Sequence, residues 1–188
     1  MVPEGWKDAT LGELVRLQRG HDLPSTDRID GHIKVIGGGG HNGFHNIARA
    51  PAPGIVIDRS GSGVGNAFWA DEPFWPLNTG LYVTDFLGND PKFCFLWLDW
   101  IDFNNHNTGG AQPSLNRNNI FPIPLPLPPL PEQQKIAEIL STWDKAIETT
   151  KALLANARTQ KRALMQSLLT GTRRFAGDLP PGNALTLM

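Results

Sequence analysis

Apolar and small residues recur at alternating spacings of four and three in the last third of the chain: Ile136, Leu140, Trp143, Ile147, Thr150, Leu154, Ala157, Lys161, Leu164 and Leu168. That alternation keeps one helix face apolar and marks a coiled-coil seam. No glycine or proline falls between Pro131 and Gly171, so the pattern predicts one unbroken helix over Glu132 to Thr170. Pro131 suits its first turn, where the missing N–H costs nothing, and Glu132 suits the positive end of the helix dipole. Thr150, Ala157, Lys161 and the bulky Trp143 weaken the seam, so register and direction are not set by the pattern alone.

The rest of the chain has shorter periods. Thr10 and Glu13 have capping-box spacing, and Leu11, Leu14 and Val15 then share a helical face, predicting a short helix that ends near Arg19-Gly20. Between residues 31 and 86, short apolar runs separated by glycine predict strands at His32–Ile36, Gly54–Asp58, Asn66–Trp69 and Gly80–Asp85. Asp90-Pro91 is a cap followed by proline, and Phe93, Leu96, Trp97, Trp100 and Ile101 stand at helical spacing. They predict a helix from Pro91 to about Phe103, with a buried strand at Phe93–Leu98 as the alternative. Prolines at 122, 124, 126 and 128 occupy every second position, which strips the N–H groups from one edge of a strand. The segment reads as a sheet-edge strand or a stiff polyproline connector into the long helix.

Composition narrows the class. A chain of 188 residues with 40% hydrophobic content suits one ordinary domain plus an appendage. The lone Cys94 has no intramolecular disulfide partner, Met1 to Trp6 lacks a signal pattern, and the longest apolar run, Phe93–Leu98, is far too short to span a bilayer. A soluble cytoplasmic protein is expected. Residues 1–120 hold nine Lys and Arg against thirteen Asp and Glu, whereas 149–177 holds six basic residues and no acidic one. The first part should therefore bind DNA poorly by charge alone unless its few arginines cluster or a partner adds charge.

Candidate chemistry lies in polar, glycine-rich segments. Gly61 to Gly65 follows an apolar strand, but the third glycine of a dinucleotide-binding loop falls at Asn66 and the next residues start a helix poorly; a tight turn between strands is the simpler reading. Arg59 and Ser60 just ahead of it could present a fork to a base edge or phosphate. Gly37 to Asn46 reads as a mobile glycine loop carrying His41, Asn42, His45 and Asn46. The two histidines could share a metal only on a helix, which the glycines oppose, so groove contact or a plain surface loop is left. His106, Asn107, Gln112, Asn116, Arg117 and Asn118 form a second polar cluster; their amides suit adenine readout, and they are also common turn residues. No metal site is expected, and no nucleophile–base pair, carboxylate dyad, methyltransferase motif or phosphate-binding P-loop stands out.

PPLPEQQKIAEILSTWDKAIE and KRALMQSLLTGTRRF resemble the segments that open and close the spacer helix in DNA-specificity subunits of type I restriction-modification systems. Gly5-Trp6-Lys7 with Leu11-Gly12-Glu13-Leu14 resembles that family's entry into a target-recognition domain. The likeness spans about a third of the chain. It implies an α+β fold: a target-recognition domain over 1–128, a spacer and dimerisation helix over 129–171, and a tail over 172–188. Family members usually carry two of each part, and this chain has room for one. The resemblance thus implies a half-length, non-catalytic subunit that pairs as an antiparallel homodimer through Ile136, Leu140, Trp143, Ile147, Leu154, Ala157, Leu164 and Leu168. It further implies reading of a split palindromic site in double-stranded DNA, and docking of methyltransferase and restriction (translocase) subunits. This chain would hold no cofactor; S-adenosylmethionine would sit on the methyltransferase. The alternative is a coiled-coil adaptor whose globular part binds protein.

Overall fold

The structure, a computed structural model, describes residues 2–61, 63–106 and 114–174. It is α+β. In chain order come β1 (Lys7–Thr10), α1 (Leu11–Leu14), β2 (Arg16–Arg19), β3 (Ile33–Gly37), β4 (Gly40–His45), β5 (Gly54–Asp58), β6 (Ala67–Ala70), β7 (Phe74–Pro76), β8 (Gly80–Asp85), α2 (Pro91–Trp100), α3 (Arg117–Ile120), β9 (Pro124–Leu127) and α4 (Leu130–Leu169). Strands β2-β8-β5-β6 form an antiparallel sheet, β4-β3-β7 a mixed one, and β1-β9 a two-stranded ribbon. Two compact units result, Met1–Glu138 and Ile139–Met188.

Strand β5 explains the centre of the first unit. All five of its residues are buried, as expected of an apolar run covered on both faces. Ile55 and Ile57 enter one core with Leu11, Leu14, Leu81, Val83, Phe93 and Leu98, while Val56 enters another with Ile36, Phe74 and Tyr82. Alternation along β8 matches: Leu81 and Val83 point one way and Tyr82 the other. Helix α2 starts where the sequence predicts, with Asp90 Oδ1 accepting from Phe93 N at 2.8 Å and Pro91 at its first position. Cys94 is buried within it.

Two expectations give way to tertiary pairing, and one helix is slightly shorter than expected. The helix foreseen to Arg19-Gly20 is a single turn, α1, whose entry is fixed by the Glu13 carboxylate accepting from Thr10 N (2.8 Å) and Thr10 Oγ1 (3.0 Å). Val15 then turns extended, and 16–19 pairs with β8, burying Leu17. The glycine loop 37–46 is instead a hairpin, β3 against β4, turning through Gly38-Gly39 with Gly39 and Gly40 at φ 86° and 90°; only glycine adopts such φ freely. Helix α2 ends at Trp100, short of Phe103.

The proline-rich segment becomes β9, paired antiparallel with β1. It leads into α4, which starts two residues before Glu132. The buried side chain of Gln133 fastens that start: its Nε2 donates to Asn89 Oδ1 (2.9 Å) and Pro128 O (3.0 Å), and its Oε1 accepts from Asp90 N (2.9 Å). Asn89 Nδ2 in turn donates to Leu14 O at 2.9 Å, and Trp6 Nε1 donates to Glu132 Oε2 at 3.0 Å. Ala137 and Ile136 pack on the main core. The first unit therefore takes in α4 as far as Glu138, ten residues past the expected boundary at 128, and Ile136 is partly buried against it.

Beyond that point the seam is bare. Trp143 is 66% exposed and Leu154 51%, and Leu140, Ile147, Leu164 and Leu168 are exposed with them. Of the expected tail, only Thr172–Arg174 falls among the described residues. Among the described residues no helix is long and apolar enough to cross a membrane.

Candidate nucleic-acid interface

Register in the four-stranded sheet builds the site. Arg19 on β2 and Ile57 on β5 both pair with Leu81 of β8, and Asp58 pairs with Gly80. The C-terminal ends of β2 and β5 thus emerge side by side at the start of β8. Gly20 permits this: a Cβ there would lie 2.1 Å from Leu77 O, so no other residue fits against the 77–80 turn. Buried Asp58 accepts from Ser60 N on Oδ1 (3.1 Å) and bends the chain after β5. Arg59 is held on both sides, its N donating to Thr79 O (3.1 Å) and its O accepting from Leu115 N (2.8 Å). Ser60 bridges Ser114, which draws the 114–117 segment onto the same edge.

The result is an open cleft of about 830 Å³ whose lining includes Gln18, Arg19, His21, Arg59, Asn116 and Arg117. Three of the nine basic residues of 1–120 therefore converge on one feature, which is the clustering a weakly charged domain needs to attract DNA. Arg19 Nε and Arg59 Nη1 both donate to Asn78 O, at 3.2 and 3.3 Å, and Asn78 Nδ2 donates to Asp22 Oδ1 at 2.8 Å. Arg117 Nη1 donates to Leu17 O at 3.2 Å. Burial, and then the charge of Arg19, holds Arg59 below the usual guanidinium range. Asn116 caps α3 by accepting from Asn118 N at 3.0 Å, which engages the amide oxygen that adenine readout would use.

Of the residues singled out in the sequence, Arg59, Asn116 and Arg117 line this cleft, with Ser60 beside it. Asn118 is exposed on α3, and His106 ends a 3-10 turn at Phe103–His106. Asn107 and Gln112 lie outside the described residues. The hairpin residues are not in the cleft lining. His45 is buried, its Nδ1 accepting from Ile29 N (3.1 Å) and its ring edge-on to Trp75 at 5.1 Å, so it supports the fold and cannot reach a groove. Asn42 accepts from Arg28 through both O and Oδ1, His41 packs on Phe44 at 4.7 Å, and Asn46 is exposed. Gln18, Arg19 and His21 escaped sequence reading. A strand reading of 16–19, with Leu17 inward, would have turned Gln18 outward.

The pattern described as the type I restriction modification DNA specificity domain matches residues 3–157. The chain belongs to that family. It is 30% identical over 96 residues to the EcoDI type I restriction enzyme specificity subunit of Escherichia coli, a match covering 48% of this chain and 21% of the relative. It is 37% identical over 59 residues to the putative MjaX type I specificity subunit of Methanocaldococcus jannaschii, covering 31% and 14%. Its fold is similar to that of a chain solved in a study of assembly and conformational transition of the type I system (TM-score 0.71, 16% identity, 89% of this chain and 45% of that one). It is also similar to the HsdS subunit of Thermoanaerobacter tengcongensis (TM-score 0.64, 20% identity, 95% and 47%). The chain thus spans under half of the solved chains it matches.

Proposed function

We propose that this chain reads one half of a split DNA site through the arginine cleft and pairs with a second copy through α4. The observation that carries the first part is the convergence of Arg19, Arg59 and Arg117 on one cleft of an otherwise acidic unit. The bare apolar seam from Leu140 to Leu168 supports the second, because a helix with an apolar stripe must bury it and no second helix of like length occurs among the described residues. An antiparallel pair has two-fold symmetry, so both copies read inverted half-sites. The 40 residues of α4 give a rod of about 60 Å. The gap between half-sites is then free in sequence and strict in length. A methyltransferase subunit carrying S-adenosylmethionine, and a restriction subunit, supply the chemistry in the cytoplasm.

Methylome sequencing of cells carrying the system tests the geometry; a contiguous or non-palindromic methylated motif rejects the homodimer. Replacing Arg59 or Arg117 with Ala in the assembled complex is expected to weaken cognate binding, by about 1–3 kcal/mol where the contact is a bidentate guanine fork. Unchanged binding by both variants removes the cleft as the DNA-contacting surface.

A further inference from the structure

Arg19 and Arg59 are placed as two sites for two ligands would not be. Both donate to the single carbonyl oxygen of Asn78, so the bonding nitrogens lie within about 6.5 Å of each other. A neutral carbonyl orients two guanidinium groups but cancels neither charge. Among the described residues no carboxylate forms an ion pair with Arg19 or Arg59; Asp22, next to the site, accepts from the Asn78 amide. Each guanidinium carries five N–H donors in a fixed fork and gives one to Asn78, which leaves most of both forks for a ligand. Like charges held this close repel unless an anion lies between them. The arrangement is also built rather than incidental: Arg59 is pinned through its own N and O, and Gly20 fixes the approach of β2 to the 77–80 turn.

We infer that Arg19 and Arg59 together clamp one backbone phosphate of the DNA, setting register, and that Arg117 is left to read a base edge. A phosphodiester offers one negative charge and two free oxygens, one for each fork. A guanine edge offers two neutral acceptors and fills a single fork. Arg117 donates through Nη1 to Leu17 O, and among the described hydrogen bonds no second arginine shares that acceptor, so its fork suits a base. This assignment rests on reading the cleft as the DNA interface.

The salt dependence of binding separates the possibilities. Each phosphate neutralised contributes about 0.9 to the slope of log K against log salt concentration. Anisotropy titrations use the full chain assembled with its methyltransferase subunit, on a mixed-sequence duplex and on a duplex carrying the methylated motif. Arg19→Gln, Arg59→Gln and the double variant should each lower the slope by about 0.9 at most, because they share one phosphate. The loss should be equal on both duplexes, and Arg19→Lys and Arg59→Lys should keep the slope. A loss of about 1.8 in the double variant would mean two phosphates and overturns the clamp. So does a changed methylated motif with Arg19→Gln, which would make Arg19 a base reader, or an unchanged slope in every variant while the parent binds DNA. A parent that binds neither duplex takes down the DNA reading itself.

Discussion

The two units treat apolar side chains in opposite ways. In Met1–Glu138, Ile55, Ile57, Leu98 and Ile120 are wholly buried, and even a polar group such as Gln133 is enclosed with its bonds made. In Ile139–Met188 the leucines of the seam are about half exposed. The first encloses its apolar side chains within a single copy; the second leaves them exposed, as the proposed pairing through α4 requires. On that proposal apolar content does different work in each: in one it sets internal stability, in the other association.

Breaking one without the other is the sharpest test of that contrast. Leu154→Lys is expected to abolish the dimer seen by sedimentation at micromolar concentration, since a charge at a seam centre is costly to bury, while the denaturation midpoint of the globular unit stays put. A parent protein that sediments as a monomer would remove the idea at once. Ile57→Ala is expected to do the reverse, costing about 2–5 kcal/mol in urea unfolding with dimer mass retained in native buffer. At the junction, Gln133→Ala strands Asp90 N and the Asn89 amide, and is expected to cost about 1–3 kcal/mol; an unchanged unfolding curve would show that the helix start does not depend on that network.

The smallest effect concerns pH. Burial first, and then the charge of Asp90, pushes the Cys94 thiol well above its usual range. The unfolded thiol loses its proton first, at about pH 8.5, so the contribution of Cys94 to stability is complete below that pH and falls as pH rises further. Stability of the parent should decline above about pH 8.5, and Cys94→Ala should flatten that part of the profile. Alkylation of the parent at pH 8 should require denaturant; rapid reaction of the native protein would contradict the burial.

What could be read from the sequence follows from how local each signal is. Strands β5 and β8 and helix α4 announced themselves because long apolar runs and a sustained heptad need no distant partner to be recognised. Strands β2, β4 and β7 did not: β2 is mostly polar, β4 is rich in glycine and polar residues, and β7 is three residues ending in proline; they exist because β8 and β3 pair with them. The site divides the same way. Arg59, Asn116 and Arg117 were visible as polar residues in turn-like segments. Arg19 was not, because its place in the cleft comes from the β2–β8 register, which Arg19-Gly20 in isolation does not reveal. His45 misled for the opposite reason: histidine beside glycine and asparagine looks like a loop tip, but Trp75 and Ile29 N claim its ring.

The alternate prolines of β9 have a consequence for life in a crowded solution. Within the strand only Leu125 and Leu127 have an N–H to give, and β1 lies alongside to take them. Pro124 and Pro126 leave the opposite edge without donors, so a stray strand from another chain finds acceptors there but no ladder to complete. Under the proposed pairing through α4, this blunted edge favours helix pairing over fibrous aggregation as the route of self-association.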